Sequence, residues 1–317
     1  MNRLAALLLG TALVSACGER GIPSEVRLRL EYEEGDTLRY NYHTEGAVTM
    51  PDTADPSGRK THPYQRNLTV EETVRDVTPS GNYALAWTFH LPVDTAGQKD
   101  AGMPDSVQLM VEITPQGRVL SIGGVETARP LFGEIDFQSY FEQSQPVFPE
   151  RPLKVGDSWT QEVRVMSPRS EPVTTSSTYV LDRVVEEDGA PVAVIAFDGD
   201  IYLPFPYRPA GADSAAMTTA EERIRVKGEM FFELETGRVR RVESEADATL
   251  TRVEIVDGEP VRREIQIRET SRPKFAKRGP LFVTDQFGPA TLEARVRSRS
   301  TRPRFCRPTT SGSPPTP

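Results

Sequence analysis

The residues able to do chemistry are few and poorly matched to one another. Three histidines are present, with His43 and His90 expected on polar strand faces and His62 in a Pro-rich loop. With no His-Glu-x-x-His and no cysteine pair, their spacing defines no zinc site. The one Ser-x-x-Lys, Ser271-Arg272-Pro273-Lys274, lacks Ser-Asp-Asn and Lys-Thr-Gly companions, and there is no Gly-x-Ser-x-Gly elbow. Asp198-Gly199-Asp200 offers oxygens to Ca²⁺ without the other ligands of a binding loop, so it reads as a β-turn bearing two solvated acids. The sequence also lacks a Gly-rich phosphate loop. No catalytic residue, metal ligand or cofactor site is assigned, and the expectation leans away from an enzyme.

Binding is the better prospect. Two long loops, 93–105 and 205–222, are expected at equivalent points of two related strand sets. The second contains Phe205-Pro206-Tyr207-Arg208-Pro209, which joins aromatic faces and a guanidinium on stiffened backbone. Its bland alternative is a loop ordered by its own prolines and rings. Tyr83, Leu85, Trp87, Phe89, Met230 and Phe232 would line an apolar concavity, or would simply be core. The ligand-binding candidates are therefore Trp87, Phe89, Phe205, Tyr207, Arg208, Met230 and Phe232.

The N-terminus carries the clearest signal. Arg3, the apolar run from Leu4 to Leu13 and the small residues of Leu13-Val14-Ser15-Ala16-Cys17 make a secretory signal too short to span a bilayer. The cut before Cys17 resembles the lipobox of bacterial lipoproteins. That resemblance implies a mature N-terminal Cys17 carrying thioether-linked diacylglycerol and an N-acyl chain, and two or more chains anchor a protein stably. It also implies a bacterial cell envelope location. Gly18 in place of an aspartate favours the outer membrane over the inner or cytoplasmic membrane. The second cysteine, Cys306, lies in a Pro/Ser/Thr/Arg-rich tail with no folded partner in view. Gly18 to Ser24 form a tether reaching no more than about 25 Å, which keeps the body near the membrane.

At 317 residues, 37% hydrophobic and 26% charged, the chain can bury one large or two modest cores. The formal net charge is −8, while ten Lys/Arg against two acids stand from Ser271 onward. The body before Ser271 is therefore strongly acidic, which argues against nucleic acid as a partner.

Period-two alternation dominates this body and predicts antiparallel strands with one covered and one wet face. Val26, Leu28, Leu30 and Tyr32 alternate with Arg27, Arg29 and Glu31, and after Glu34-Gly35-Asp36 the run continues through Leu38, Tyr40 and Tyr42 as a hairpin. Tyr83 to Leu91, Val107 to Ile113 and Ile224 to Leu234 follow the same rule. Landmarks recur in order. Gly35-Asp36-Thr37-Leu38 returns as Gly156-Asp157-Ser158-Trp159, Leu91-Pro92 as Leu203-Pro204, and Gly117-Arg118-Val119 as Gly237-Arg238-Val239. Two copies of one β unit are expected, standing as two domains or joined in one curved sheet. Residues 130–144 between them read as a short amphipathic helix.

The expected layout is a signal peptide (1–16), a lipidated Cys with its tether (17–25), an N-terminal β unit (26–128), a helix and linker (129–152), a C-terminal β unit (153–270), a basic extension (271–298) and a disordered tail (299–317). The fold class is mainly β, with antiparallel curved sheets or half-barrels. Lys154-Val155-Gly156-Asp157-Ser158-Trp159 after the Pro149-Glu150-Arg151-Pro152 joint resembles an element of uncharacterised bacterial lipoproteins of the domain-of-unknown-function type. A looser likeness is to lipoprotein-carrier folds, where an incomplete antiparallel barrel wraps a helix and shelters acyl chains. The leading expectation is a lipid-anchored, non-enzymatic envelope protein that binds or scaffolds a partner at the membrane surface. Its rival is a carrier or sensor of a lipid or other apolar ligand, and a hydrolase with an unrecognised site comes third.

Overall fold

The computed structural model describes residues 23–52, 55, 57–90, 105–132, 135–166, 171–207, 218–256, 259–271 and 274–275. Cys17, Arg208 and the 299–317 tail lie outside the described residues, as do 93–104 and 208–217 of the two expected loops.

The chain is mainly β. Its strands are β1 (Thr37–Pro51), β2 (Arg59–Val77), β3 (Tyr83–His90), β4 (Ser106–Ile113), β5 (Val119–Gly123), β6 (Ser158–Val165), β7 (Val173–Glu187), β8 (Ala190–Tyr207), β9 (Thr218–Glu233), β10 (Arg238–Val256) and β11 (Glu259–Ser271), with a short β12 (Lys274–Phe275). Helices α1 (Val125–Phe132) and α2 (Phe137–Ser144) stand between β5 and β6. All pairings are antiparallel, in the order β5-β4-β3-β2-β1-β11-β10-β9-β8-β7-β6, and β12 pairs with β1. The β1–β11 ladder thus joins the two halves in one open sheet.

Both halves use the same opening turn. Gly35 (φ 87) and Gly156 (φ 93) adopt the left-handed conformation that glycine tolerates best. The Gly35 N–H donates to Val74 O (2.9 Å) and the Val74 N–H to Asp36 O (2.9 Å), while Gly156 and Leu181 repeat this with Asp157 at 2.8 and 2.9 Å. Asp36 Oδ2 and Asp157 Oδ2 accept from the backbone N–H groups of Glu33 and Lys154. Just beyond each contact the ladder slips by one residue, at Val74/Asp76 and at Leu181/Arg183. The Gly-Asp pair is therefore a turn device that both halves share.

The sheet bends until its two edges approach each other. Helix α2 touches both edge strands, β5 and β6, and one continuous core draws residues from all along the sheet. Residues 26–33 cross the turn end of the sheet as a strap. Val26 bridges Leu153, the Leu30 N–H donates to Pro115 O (2.7 Å), and the Glu31 N–H donates to Gly237 O (3.1 Å). This corrects the expected N-terminal hairpin. Val26, Leu28, Leu30 and Tyr32 do alternate into the core, but both flanks of β1 are taken by β2 and by β11 with β12, so the segment bonds to turns instead.

Four further expectations change. The single helix is a pair of eight-residue helices. His62 lies in β2 rather than a loop, because the inner face there carries Tyr64 and Arg66 and the apolar alternation is hidden. Asp198-Gly199-Asp200 is mid-strand in β8, not a turn. Ser177 occupies the space that a Cβ on Gly199 would need, and Asp198 pairs with Arg225 at 3.0 Å. The second loop is shorter than expected, since Phe205-Pro206-Tyr207 ends β8 and Thr218 begins β9. At the chain's far end, regular pairing reaches Ser271 and resumes in β12, inside the expected basic extension.

Candidate functional site

Helix α2 fills one end of the sheet. Asp136 caps it, accepting from the Ser139 backbone N–H (3.3 Å) and hydroxyl (2.7 Å). With the helix start fixed in this way, Phe137, Tyr140 and Phe141 are buried on its inner side. Phe141 lies against Trp87 with ring centroids 4.9 Å apart, and Phe148 meets Phe232 edge-on at 5.2 Å. Trp87, Phe89, Met230, Phe232 and Phe205 are all buried in the same core. The sequence-derived candidates are thus brought together, with protein rings occupying the space next to Trp87 and Phe232. The side chain of Tyr207 lies outside the described residues, like Arg208.

The same helix marks a parting in the sheet. Pairing of β7 with β8 ends at Ser177–Gly199, while β8 continues to Tyr207. At the parting, the Gln143 side chain takes the place of a neighbouring strand. Its Nε2 donates to Tyr202 O (3.1 Å), and its Oε1 accepts from the Tyr202 N–H (2.7 Å). Because backbone groups alternate in direction along a strand, residues 204 and 206 face the same side as Tyr202, a side on which no described strand pairs with them. Both are prolines, which have no N–H to leave unsatisfied.

Beyond the helices the sheet narrows to the long strands β2, β1, β11, β10, β9 and β8, whose inner face mixes apolar and charged groups. Val48, Leu203, Leu250, Ile265 and Ala220 are buried there, and so are Arg66, Arg252, Glu222 and Glu269. Tyr64 reaches across β1 because position 46 is glycine. A Cβ on Gly46 would lie 2.6 Å from the Tyr64 ring. The Tyr64 hydroxyl donates to Glu269 Oε1, and the Arg66 guanidinium sits 5.6 Å from the Tyr64 ring centroid. Glu222 follows the inward phase of Ala220, Ile224 and Val226, opposite Leu250 on β10 and Leu203 on β8. Burial pushes its carboxyl up to about 8, and the negative charge of Glu269 adds to the effect.

A third buried acid, Glu72, lies under the strap. Glu72 Oε2 accepts from Trp87 Nε1 at 2.7 Å. Burial raises its carboxyl to about 7, while the Trp87 hydrogen bond, the nearby Tyr32 hydroxyl and the Arg238 charge pull it back down.

Residues 128–230 match DUF6263, a family of unknown function. The matched segment begins in α1, contains α2 and β6 to β8, and ends in β9. It holds the Gln143–Tyr202 contact and Glu222. No curated protein matches the chain.

Sequence reasoning passed over Glu222, Glu269, Arg66 and Arg252. One signal was available, namely a charge standing in the apolar phase, as in Ala220-x-Glu222-x-Ile224 and Arg66-x-Leu68-x-Val70. Charged residues are almost never fully buried without a partner, so such positions stand out once the strand phase is fixed. An apolar wall with a few converging polar groups and shifted acids suits the holding of an amphipathic molecule.

Proposed function

We propose that this protein is a lipid-anchored, non-enzymatic component of a bacterial envelope that carries or senses an apolar or amphipathic ligand on the inner face of its unclosed sheet. The observation carrying this reading is the set of buried charged side chains on the otherwise apolar inner face of the long strands. The architecture adds support, since an open eleven-strand antiparallel path with helices between its edges is the layout implied by the likeness to lipoprotein carriers. Cys17 is the anchor, bearing diacylglycerol and an N-acyl chain, and Gly18 favours the outer membrane.

Native mass spectrometry of the gently extracted protein tests the ligand. An acyl-containing adduct beyond the covalent N-terminal lipid is expected, and a bare chain from several extractions would count against a carrier. Cys17→Ser tests the anchor separately. The variant should leave the membrane fraction, and its retention there after a high-salt wash would remove the lipid from the account.

The second reading is a scaffold for an envelope protein. It is favoured by the filled end of the sheet, where Phe141 and Phe148 already cover Trp87 and Phe232.

A further inference from the structure

The strap begins where the tether ends. Val26 and Leu153 exchange backbone hydrogen bonds of 2.8 Å in both directions, and beside them Lys154 Nζ pairs with Glu25 at 3.2 Å. The chain from Cys17 therefore reaches the body alongside the Lys154-Val155-Gly156-Asp157 turn, at the end of the sheet that the strap crosses. Val155 is 57% exposed on this turn. Among the described residues five large hydrophobics are exposed, and two others of them, Val77 closing β2 and Leu120 near the start of β5, stand at the same end. The corner is not a cationic patch. Arg151 pairs with Asp157 at 2.7 Å and Lys154 with Glu25, so the charges beside Val155 cancel.

Length decides which end can meet a membrane. Strands β2 and β10, of 19 residues each, run from the turn end of the sheet to its opposite end, a path of about 60 Å at about 3.3 Å per residue. Residues 18–24 span no more than about 25 Å. With the opposite end on the bilayer, the root of the tether would stand well beyond that reach.

We propose that the turn end of the sheet rests on the bilayer that holds Cys17, with Val155 at the point of contact and the long strands directed away from it. Val155 stands beside the tether root, so it meets the interface without drawing the tether out. Because the neighbouring charges are paired, the contact needs no anionic lipid. The mixed apolar and charged inner face of β1, β2 and β8 to β11 then stands farthest from the anchoring bilayer. This placement rests on the lipid-anchor reading of Cys17 and names the surface that the anchor presents to the membrane.

The test uses the full chain lipidated at Cys17 and carrying Cys306→Ser, reconstituted in phosphatidylcholine vesicles. A fluorophore is attached in turn to Val155→Cys, to Met166→Cys just past the other end of β6, and to Thr61→Cys near the start of β2, at the opposite end of the sheet. Val155 and Met166 are 57% and 65% exposed, so a dye drawn to lipid by its own apolarity responds alike at both. Lipid with a nitroxide headgroup should quench roughly half the emission at 155, clearly less at 166 and almost none at 61, because an interfacial side chain sits within about 10 Å of the headgroup boundary. Equal quenching at 155 and 166 overturns the placement, since the β6 edge would then lie along the bilayer. Strongest quenching at 61, or none at any site in protein that floats with the vesicles, overturns it and leaves the anchor standing. Protein that does not float with the vesicles overturns the anchor reading and this placement with it. Should Val155→Cys fail to fold by circular dichroism, Lys154→Cys on the same turn carries the same expectation and decides by the same comparison.

Discussion

Leu38 and Trp159 each follow a Gly-Asp turn, but the sheet treats them differently. Leu38 is 1% exposed in the core, whereas Trp159 packs at the core's margin, stacked on Tyr179 with centroids 5.2 Å apart. Leu38→Ala should cost about 3 kcal/mol and Trp159→Ala nearer ~2 kcal/mol, since truncation of a partly exposed ring leaves less of a cavity. Urea denaturation gives the order, and a larger loss for Trp159→Ala would mean that its ring is a structural anchor. These two residues were legible from the turn repeat, and Trp87, Phe89, Met230 and Phe232 from alternation alone. Glu222 and Arg66 were not, because alternation tells which face a residue takes and does not tell whether the inner face can tolerate charge.

The strap and the parted strand are the elements most open to test. Glu72 lies 2% exposed beneath the strap residue Tyr32. Its folded carboxyl titrates near 7 against an ordinary value of 4.5, so between those values the folded state binds the extra proton. Stability from this group is therefore present at low pH and is lost as pH rises through about 7, by roughly 3 kcal/mol. The thermal midpoint should fall from pH 5 to pH 8, and Glu72→Gln should flatten part of that fall, the remainder belonging to Glu222. An unchanged slope in Glu72→Gln would assign the dependence elsewhere. At the parted strand, Pro204→Ala with Pro206→Ala restores two N–H groups on the side of β8 that no described strand pairs, one at buried position 204 and one at exposed position 206. Light scattering should then report self-association, with a lowered thermal midpoint from the N–H left unsatisfied at buried position 204, and a double variant as monomeric as its parent would show that the edge is already shielded. Phe205-Pro206-Tyr207 looked like the start of a loop because proline argues against a strand. In this fold the prolines fall where β8 has lost its neighbour.

At the scale of the whole molecule, the two halves share one sheet and one core. Calorimetry should show a single transition that both Leu38→Ala and Trp159→Ala displace, and two independently moving transitions would mean that the β1–β11 ladder holds too weakly to couple the halves. That ladder also sets a schedule for folding. Thr44 pairs with Ser271 and Thr49 with Gln266, so one flank of β1 waits until nearly the last strand has been delivered. Contacts so distant in sequence slow folding and leave an unpaired edge open to other chains in the interval. A chain exported N-terminus first would cross that interval on the far side of the membrane. Its yield would then depend on how quickly its last strands follow its first, or on a holding factor that covers β1 until β11 arrives.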